Sequence, residues 1–282
     1  MSARAARLAA VAEATARDTG GTPPVYVIGT EVPPPGGADH TLTSIDPTSL
    51  EAAHRTIEVH REIFHRANLR DAFSRVIAVV VQPGVEFGNR NVVFYERKKA
   101  KALARLLDDE PQLVFEAHST DYQGQQLLSD LVEDGFGILK VGSQLTFVLR
   151  ETLYALDLIA TDLLPDYGHR PLFAAMEQLM LAHPQHWDRH YDGDAAEKRV
   201  LRHYSLSDRI RYYWAMPEAQ VAVDRLIRAL SGGRVPMPLL CQHLPGVERF
   251  ADTPLNPIEI LTGRVEQILN QYHAACHVRR TL

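Results

Sequence analysis

The sequence predicts an α/β fold with a helical C-terminal part, and three observations carry that prediction. Four short apolar runs, at 25–31, 75–87, 112–120 and 136–142, are each followed by a stretch with helical periodicity. The second run, RVIAVVVQPGVEF, is too continuously apolar for a half-exposed antiparallel strand and suits one buried on both faces. Four such units imply parallel pairing with right-handed crossovers. Unusual residues also gather at the C-terminal end of every run: Gly29 and Glu31, Pro83 to Glu86, Glu116 to Thr120, then Lys140 and Gly142. Parallel sheets build their sites on that edge.

Residues 1–21, rich in Ala and Arg, lack the uninterrupted apolar core of a signal peptide and read as a helix. After the first strand the loop VPPPGGADHT cannot be helical, because its prolines lack amide donors. Leu50, Ala53, Ile57, Phe64 and Ala67 then fall near one face of a helix over 49–67, and residues 94–107 form the next helix. The third strand is followed by the helix QQLLSDLVEDG, with Gly135 as its stop. The fourth leads into a long amphipathic helix from Gln144 to about Leu164. Beyond it the pattern is helices and loops without strands, so the expected division is a strand–helix domain over 1–165 and an α-helical extension over 166–282.

Composition removes several function classes. The 282 residues are 45% hydrophobic and 23% charged, as in globular proteins. A net charge of -5 with no basic stripe gives no footprint for nucleic acid. No apolar run reaches the roughly 18 residues of a membrane span. Cys241 and Cys276 are too few and too isolated for a disulfide framework, which points to a reducing, cytoplasmic setting. Neither a P-loop nor a GxGxxG is present, so nucleotide-driven chemistry has no motif behind it.

The strand tips carry the candidate chemistry. Glu31, Glu86 and His118 come from three consecutive tips, and their oxygen and imidazole donors suit a divalent metal such as zinc, manganese or magnesium. The plainer reading makes the glutamates solvated loop acids and His118 a hydrogen-bonded edge residue. Lys140 is either a Schiff-base amine or a partner for a carboxylate, and pairing is favoured. Ser119, Thr120, Gly142 and Ser143 lie where strand-to-helix turns bind phosphate, and where serine and threonine also cap helices. In HYSLSDRIRYYW (203–214), Arg209 or Arg211 is a candidate phosphate clamp, against a reading of packing plus an ion pair.

YVIGTEVPPPGG, RVIAVVVQPGVEF, LVFEAHSTDYQ, DGFGILKVGSQLTFVLRE, YSLSDRIRYYW and LLCQHLP closely resemble, in order, blocks of the GatZ/KbaZ family, from about residue 8 to 276. Its members are described as non-catalytic subunits of class II D-tagatose-1,6-bisphosphate aldolase. The resemblance implies a TIM (β/α)8 barrel of which this chain holds the C-terminal half, strands 5 to 8, plus the helical extension. The blocks of the first four strands, with an early Asp-His pair, have no counterpart. The expectation is a truncated chain whose open strand edges and uncovered inner face favour a homo-oligomer.

Residue by residue, His118 is similar to a zinc-ligand histidine of catalytic class II aldolases and Ser119 to a phosphate contact. Lys140 to Gly142 resemble the last strand, whose turn also holds phosphate. Glu86 falls near a second zinc histidine, and that departure weakens the case for aldol cleavage. Ser143 replaces a proline usual in the family. Two functions follow from the resemblance. One is a stabilising partner of a class II aldolase catalytic subunit in galactitol or N-acetylgalactosamine catabolism. The other is a metal-dependent ketose-6-phosphate 4-epimerase acting on fructose 6-phosphate and tagatose 6-phosphate, with Glu31 or Glu86 handling the C4 hydroxyl proton. An inactive fragment of either is the third expectation.

Overall fold

The computed structural model describes residues 1–30 and 44–277. The chain separates into two compact units, one of residues 1–141 with those from Gln271 onward, the other of Gly142–Asn270.

The first unit opens with helix α1 (Ser2–Thr19), stopped by Gly20 in the left-handed region at φ 66°. Strand β1 (Tyr26–Ile28) follows, and then α2 (Leu50–Arg66), capped by the Ser49 hydroxyl accepting from the Ala52 amide. The spacing of Ala53, Ile57 and Phe64 buries all three on one side of α2, while Ala6 and Ala9 of α1 pack with Phe64. A short α3 (Arg70–Ser74) leads into β2 (Val76–Val80), and a hairpin of β3 (Glu86–Phe87) and β4 (Val92–Val93) comes next. After it run α4 (Arg97–Ala104), α5 (Leu106–Asp109), β5 (Val114–Ala117), α6 (Gly124–Glu133) and β6 (Ile138–Leu139).

β1, β2, β5 and β6 form one sheet in that order, parallel throughout. The expected α/β class with a parallel sheet is what the chain adopts. Register assigns the faces. Ile28, Val79 and Phe115 are partners on one face and are almost wholly buried. On the other face Val80, Glu116 and Ile138 are partners, and two residues before Glu116 its strand exposes Val114.

Two expectations change. The run 75–87 is not a single strand, because Pro83 cannot donate to a ladder and Gly84 takes φ 91°. The Gln82 side chain accepts from the Gly84 and Val85 amides at 2.8 and 2.9 Å, which turns the chain into the hairpin and moves Glu86 off β2. The helix expected over 94–107 is divided at Arg105 into α4 and α5.

The second unit contains no strand among its described residues. Its helices are α7 (Ser143–Leu163), α8 (Pro171–Ala182), α9 (Ala195–Tyr204), α10 (Pro217–Leu230), α11 (Met237–His243) and α12 (Pro257–Cys276), whose last turns belong to the first unit. Proline opens α8 and α10 at a position where its missing amide costs nothing, and Asp194 with Glu197 forms a capping box on α9. Leu156, Ile159, Met176, Met180, Tyr213 and Leu226 lie in a continuous apolar core. No described helix is long and apolar enough to cross a membrane.

Candidate active site at the strand tips

The tips of β5 and β6 are knitted together by backbone. The Lys140 amide donates to the Ala117 carbonyl at 2.9 Å, and the Thr120 amide donates to the Lys140 carbonyl at 3.2 Å. This lacing fixes where the side chains of 116 to 120 emerge.

Glu116 is 4% exposed, and its Oε1 accepts from two donors, His118 Nε2 at 2.9 Å and Lys140 Nζ at 2.6 Å. Paired with an ammonium, the carboxylate is ionised and has no proton to give. The His118 Nε2 therefore carries hydrogen, and in the neutral imidazole the lone pair is on Nδ1. The His118 side chain is partly exposed and that of Lys140 about half exposed, so this charged cluster reaches solvent. Lys140 thus takes the ion-paired arrangement.

Glu86 is buried in the hairpin, with its Oε1 accepting from the Phe87 amide at 2.9 Å. Burial pushes its carboxyl above the usual range; the Phe87 amide, the Ser119 hydroxyl and His118 pull it down, and Asp121 pushes it up. Glu86, His118, Ser119 and Asp121 are thereby neighbours. Ser119 occupies the left-handed region at φ 54°, a conformation that non-glycine residues adopt at a cost.

Thr120 has a different task from the expected phosphate contact. It is fully buried, its hydroxyl donates to the Lys140 carbonyl at 2.8 Å, and Tyr272 lies 3.2 Å away. The Tyr272 hydroxyl donates to the Thr120 carbonyl at 2.8 Å. Thr120 locks the strand tips and is not presented to an anion.

The other candidates belong to the second unit. Gly142 precedes α7, and a Cβ there would meet nothing within 4 Å. Ser143 begins α7 and is buried, with its hydroxyl accepting from Arg211 Nη1 at 3.1 Å. Arg209 donates through Nε to the His186 carbonyl. The ion pair read in this segment joins Asp208 to Arg150 at 2.8 Å, with both side chains buried. A cavity of about 350 Å³ lined by Leu164, Tyr167 and Arg225 contains none of the candidates, and Arg225 donates there to the Tyr167 carbonyl at 2.5 Å.

Glu31 lies outside the described residues. Among the described residues no group of three or more histidine, cysteine, aspartate or glutamate side chains is arranged to hold a metal ion. His118 and Glu86 by themselves do not make a ligand set.

Sequence reasoning did not assign Glu116, although a lone acid inside an apolar strand was the available signal. Tyr272 had no local signal, because its partner lies 152 residues away.

Comparison with known proteins gives relatives whose names share tagatose but differ in activity. The family described as D-tagatose-1,6-bisphosphate aldolase subunit GatZ/KbaZ-like matches residues 1–277. A relative from Agrobacterium fabrum (strain C58 / ATCC 33970), named D-tagatose 6-phosphate 4-epimerase, is 55% identical over 272 residues. That match covers 96% of this chain and 64% of the relative, so the chain spans less than two thirds of that protein's length. A crystal structure of a probable tagatose 6 phosphate kinase from Sinorhizobium meliloti 1021 is 46% identical with a TM-score of 0.86, over 98% of this chain and 67% of that one.

Proposed function

The chain belongs to the GatZ/KbaZ-like family, and from that premise we propose that it serves the C4 epimerisation of a ketohexose 6-phosphate, with the Glu116–His118–Lys140 cluster as its proton-handling centre. The observation that carries this reading is the bonding of Glu116, which in the neutral imidazole makes His118 Nδ1 the proton-accepting nitrogen, on the same carboxylate as a half-exposed ammonium. The relative's name supplies the substrate class.

The chemistry balances with these groups. His118 Nδ1 takes the proton of the C4 hydroxyl, the C3–C4 bond breaks, and its electron pair passes into an enediolate while C4 becomes an aldehyde. Lys140 lies on the same carboxylate and offsets negative charge developing on the enediolate oxygens. After the aldehyde rotates, C3 adds to its other face and the C4 oxygen recovers the proton from His118. Glu86, pushed up by burial, is the second group suited to that proton.

The finer fold reading follows the same premise. The order β1-β2-β5-β6, with polar residues at the tips and Val27 and Val114 exposed on the Glu116 side, fits four consecutive strands of a (β/α)8 barrel. The exposed, unbonded Cys241 and Cys276 fit a reducing, cytoplasmic compartment.

The test is a two-way assay with fructose 6-phosphate and tagatose 6-phosphate, with and without added divalent metal. Turnover that His118→Gln abolishes supports the reading. A wild-type chain inert under every condition but raising the activity of a class II aldolase catalytic subunit would replace it with an auxiliary role as the aldolase subunit that the family description names.

A further inference from the structure

We propose that Arg209 and Arg211 form a phosphate-dianion site on the second unit, assembled around the ring of Tyr212. The two guanidinium carbons lie 5.5 and 4.7 Å from the Tyr212 ring centroid, so one exposed aromatic holds both cations. His186 is the third member, with its ring 5.3 Å from that of Tyr212.

The two arginines divide the work. Arg211 is anchored: Nη1 donates to the Ser207 carbonyl and to Ser143 Oγ, and Nη2 donates to the Tyr212 hydroxyl at 3.1 Å. Arg209 is anchored only through Nε, to the His186 carbonyl, and neither of its Nη groups bonds to a described residue. That leaves one edge of a rigid planar fork available for two parallel hydrogen bonds, the geometry that recognises phosphate oxygens.

The charge around the fork is unbalanced. Among the described residues no carboxylate lies within ion-pair distance of Arg189, Arg209 or Arg211. Asp208, whose charge reaches Arg211, has Oδ1 held by the buried Arg150. Burial pulls the Arg209 guanidinium below its usual value, and repulsion from Arg211 and Arg189 adds to that. Half-buried cations without a counter-ion are costly, and a bound dianion removes the cost. Ion pairs elsewhere in this unit, such as Glu177 with Arg202, show the ordinary way of balancing an arginine, and it is missing here.

The identity of the anion as a sugar phosphate rests on the proposed function; the affinity for phosphate does not. The experiment is calorimetric titration of the full chain with inorganic phosphate, fructose 6-phosphate and uncharged fructose, repeated on Arg209→Gln, Arg209→Lys and Arg211→Gln, with a thermal melt of each. The expected result is phosphate binding weakened about tenfold or more by Arg209→Gln, and partly restored by Arg209→Lys, which keeps the charge but loses the fork. The melting midpoint of both Arg209 variants stays near that of wild type. Phosphate binding that is absent from the wild type at millimolar concentration, or unchanged in Arg209→Gln and Arg211→Gln, overturns the site. Fructose 6-phosphate bound through Arg209 no more tightly than phosphate keeps the site and removes sugar phosphate as its preferred anion. Fructose 6-phosphate bound equally by wild type and Arg209→Gln removes the site as a sugar-phosphate site.

Discussion

Glu116 Oε1 holds the Nε2 proton of His118 and the ammonium of Lys140 at once, at 2.9 and 2.6 Å. One carboxylate therefore sets the tautomer of the histidine and the position of the lysine. Glu116→Gln keeps an oxygen acceptor but has no charge to hold Lys140 and no preference for one imidazole tautomer. Turnover of the ketose 6-phosphate is expected to fall by roughly 10- to 100-fold, as when outer-shell carboxylates are removed from histidines. A readout independent of turnover is the ¹⁵N spectrum of the neutral His118 imidazole, which in wild type should show protonated Nε2. An unchanged tautomer in Glu116→Gln would sink the positioning role.

Tyr272 and Thr120 form the second relationship of consequence. The tyrosine comes from the last turns of α12, yet its buried hydroxyl satisfies the Thr120 carbonyl at 2.8 Å. Tyr272→Phe keeps the ring and leaves that carbonyl without its donor, at a cost of about 1 to 3 kcal/mol. Urea unfolding should show a lower midpoint with an unchanged slope. A midpoint equal to wild type would mean that water replaces the hydroxyl.

The four strands, their parallel pairing and the limits of α2, α6 and α7 were legible in the sequence, because apolar runs, helical periodicity and glycine stops are local signals. The hairpin at Glu86 was not, although Pro83-Gly84 marked the turn. The site was legible where it is local. His118 and Lys140 stood out at their strand tips, whereas the bonding of both to Glu116 depends on the β5–β6 register. Thr120 misled for the same reason, since a hydroxyl at a strand tip looks alike whether it faces an anion or a neighbouring carbonyl. Arg211 shows the limit again: nothing local announces that its guanidinium meets Ser143, 68 residues earlier.

Two glycines with positive φ separate steric from conformational cost. Gly135, at φ 96°, ends α6, and a Cβ there would lie 2.2 Å from Leu107 Cδ1. Gly124 has φ 75°, and a Cβ would meet nothing within 4 Å. Gly124→Ala should cost about 1 kcal/mol, from backbone strain alone. Gly135→Ala should cost more, by a further 1 to 3 kcal/mol or so, since Leu107 must leave its rotamer. Chemical denaturation of both variants checks the order, and equal losses would show that Leu107 moves freely.

His203 gives the chain a defined acid sensitivity. It is buried, stacked on Phe173 at 3.8 Å, with Nδ1 accepting from the Tyr154 hydroxyl at 2.7 Å and Nε2 donating to Glu177 at 2.9 Å. Burial pulls its pKa down to about 4, against the pull of Glu177 and with that of Arg202 and Arg199. Between pH 6.5 and that value the unfolded chain binds a proton that the folded chain refuses, so stability rises with pH across this window and falls on acidification. Glu177 acts lower. Burial raises its carboxyl, but Arg202 and His203 bring it below the usual value, so its contribution is present above pH 4.5 and is lost only below that. Over the interval from pH 6.5 to 4.5 the expected loss from His203 is on the order of 2 to 3 kcal/mol, and buried His60, whose pKa burial also lowers, adds to the acid sensitivity there. His203→Gln can still donate to Glu177 and accept from Tyr154 but does not titrate. Unfolding midpoints measured at half-unit steps should fall more steeply in wild type than in His203→Gln, and parallel curves would assign the acid sensitivity to another group.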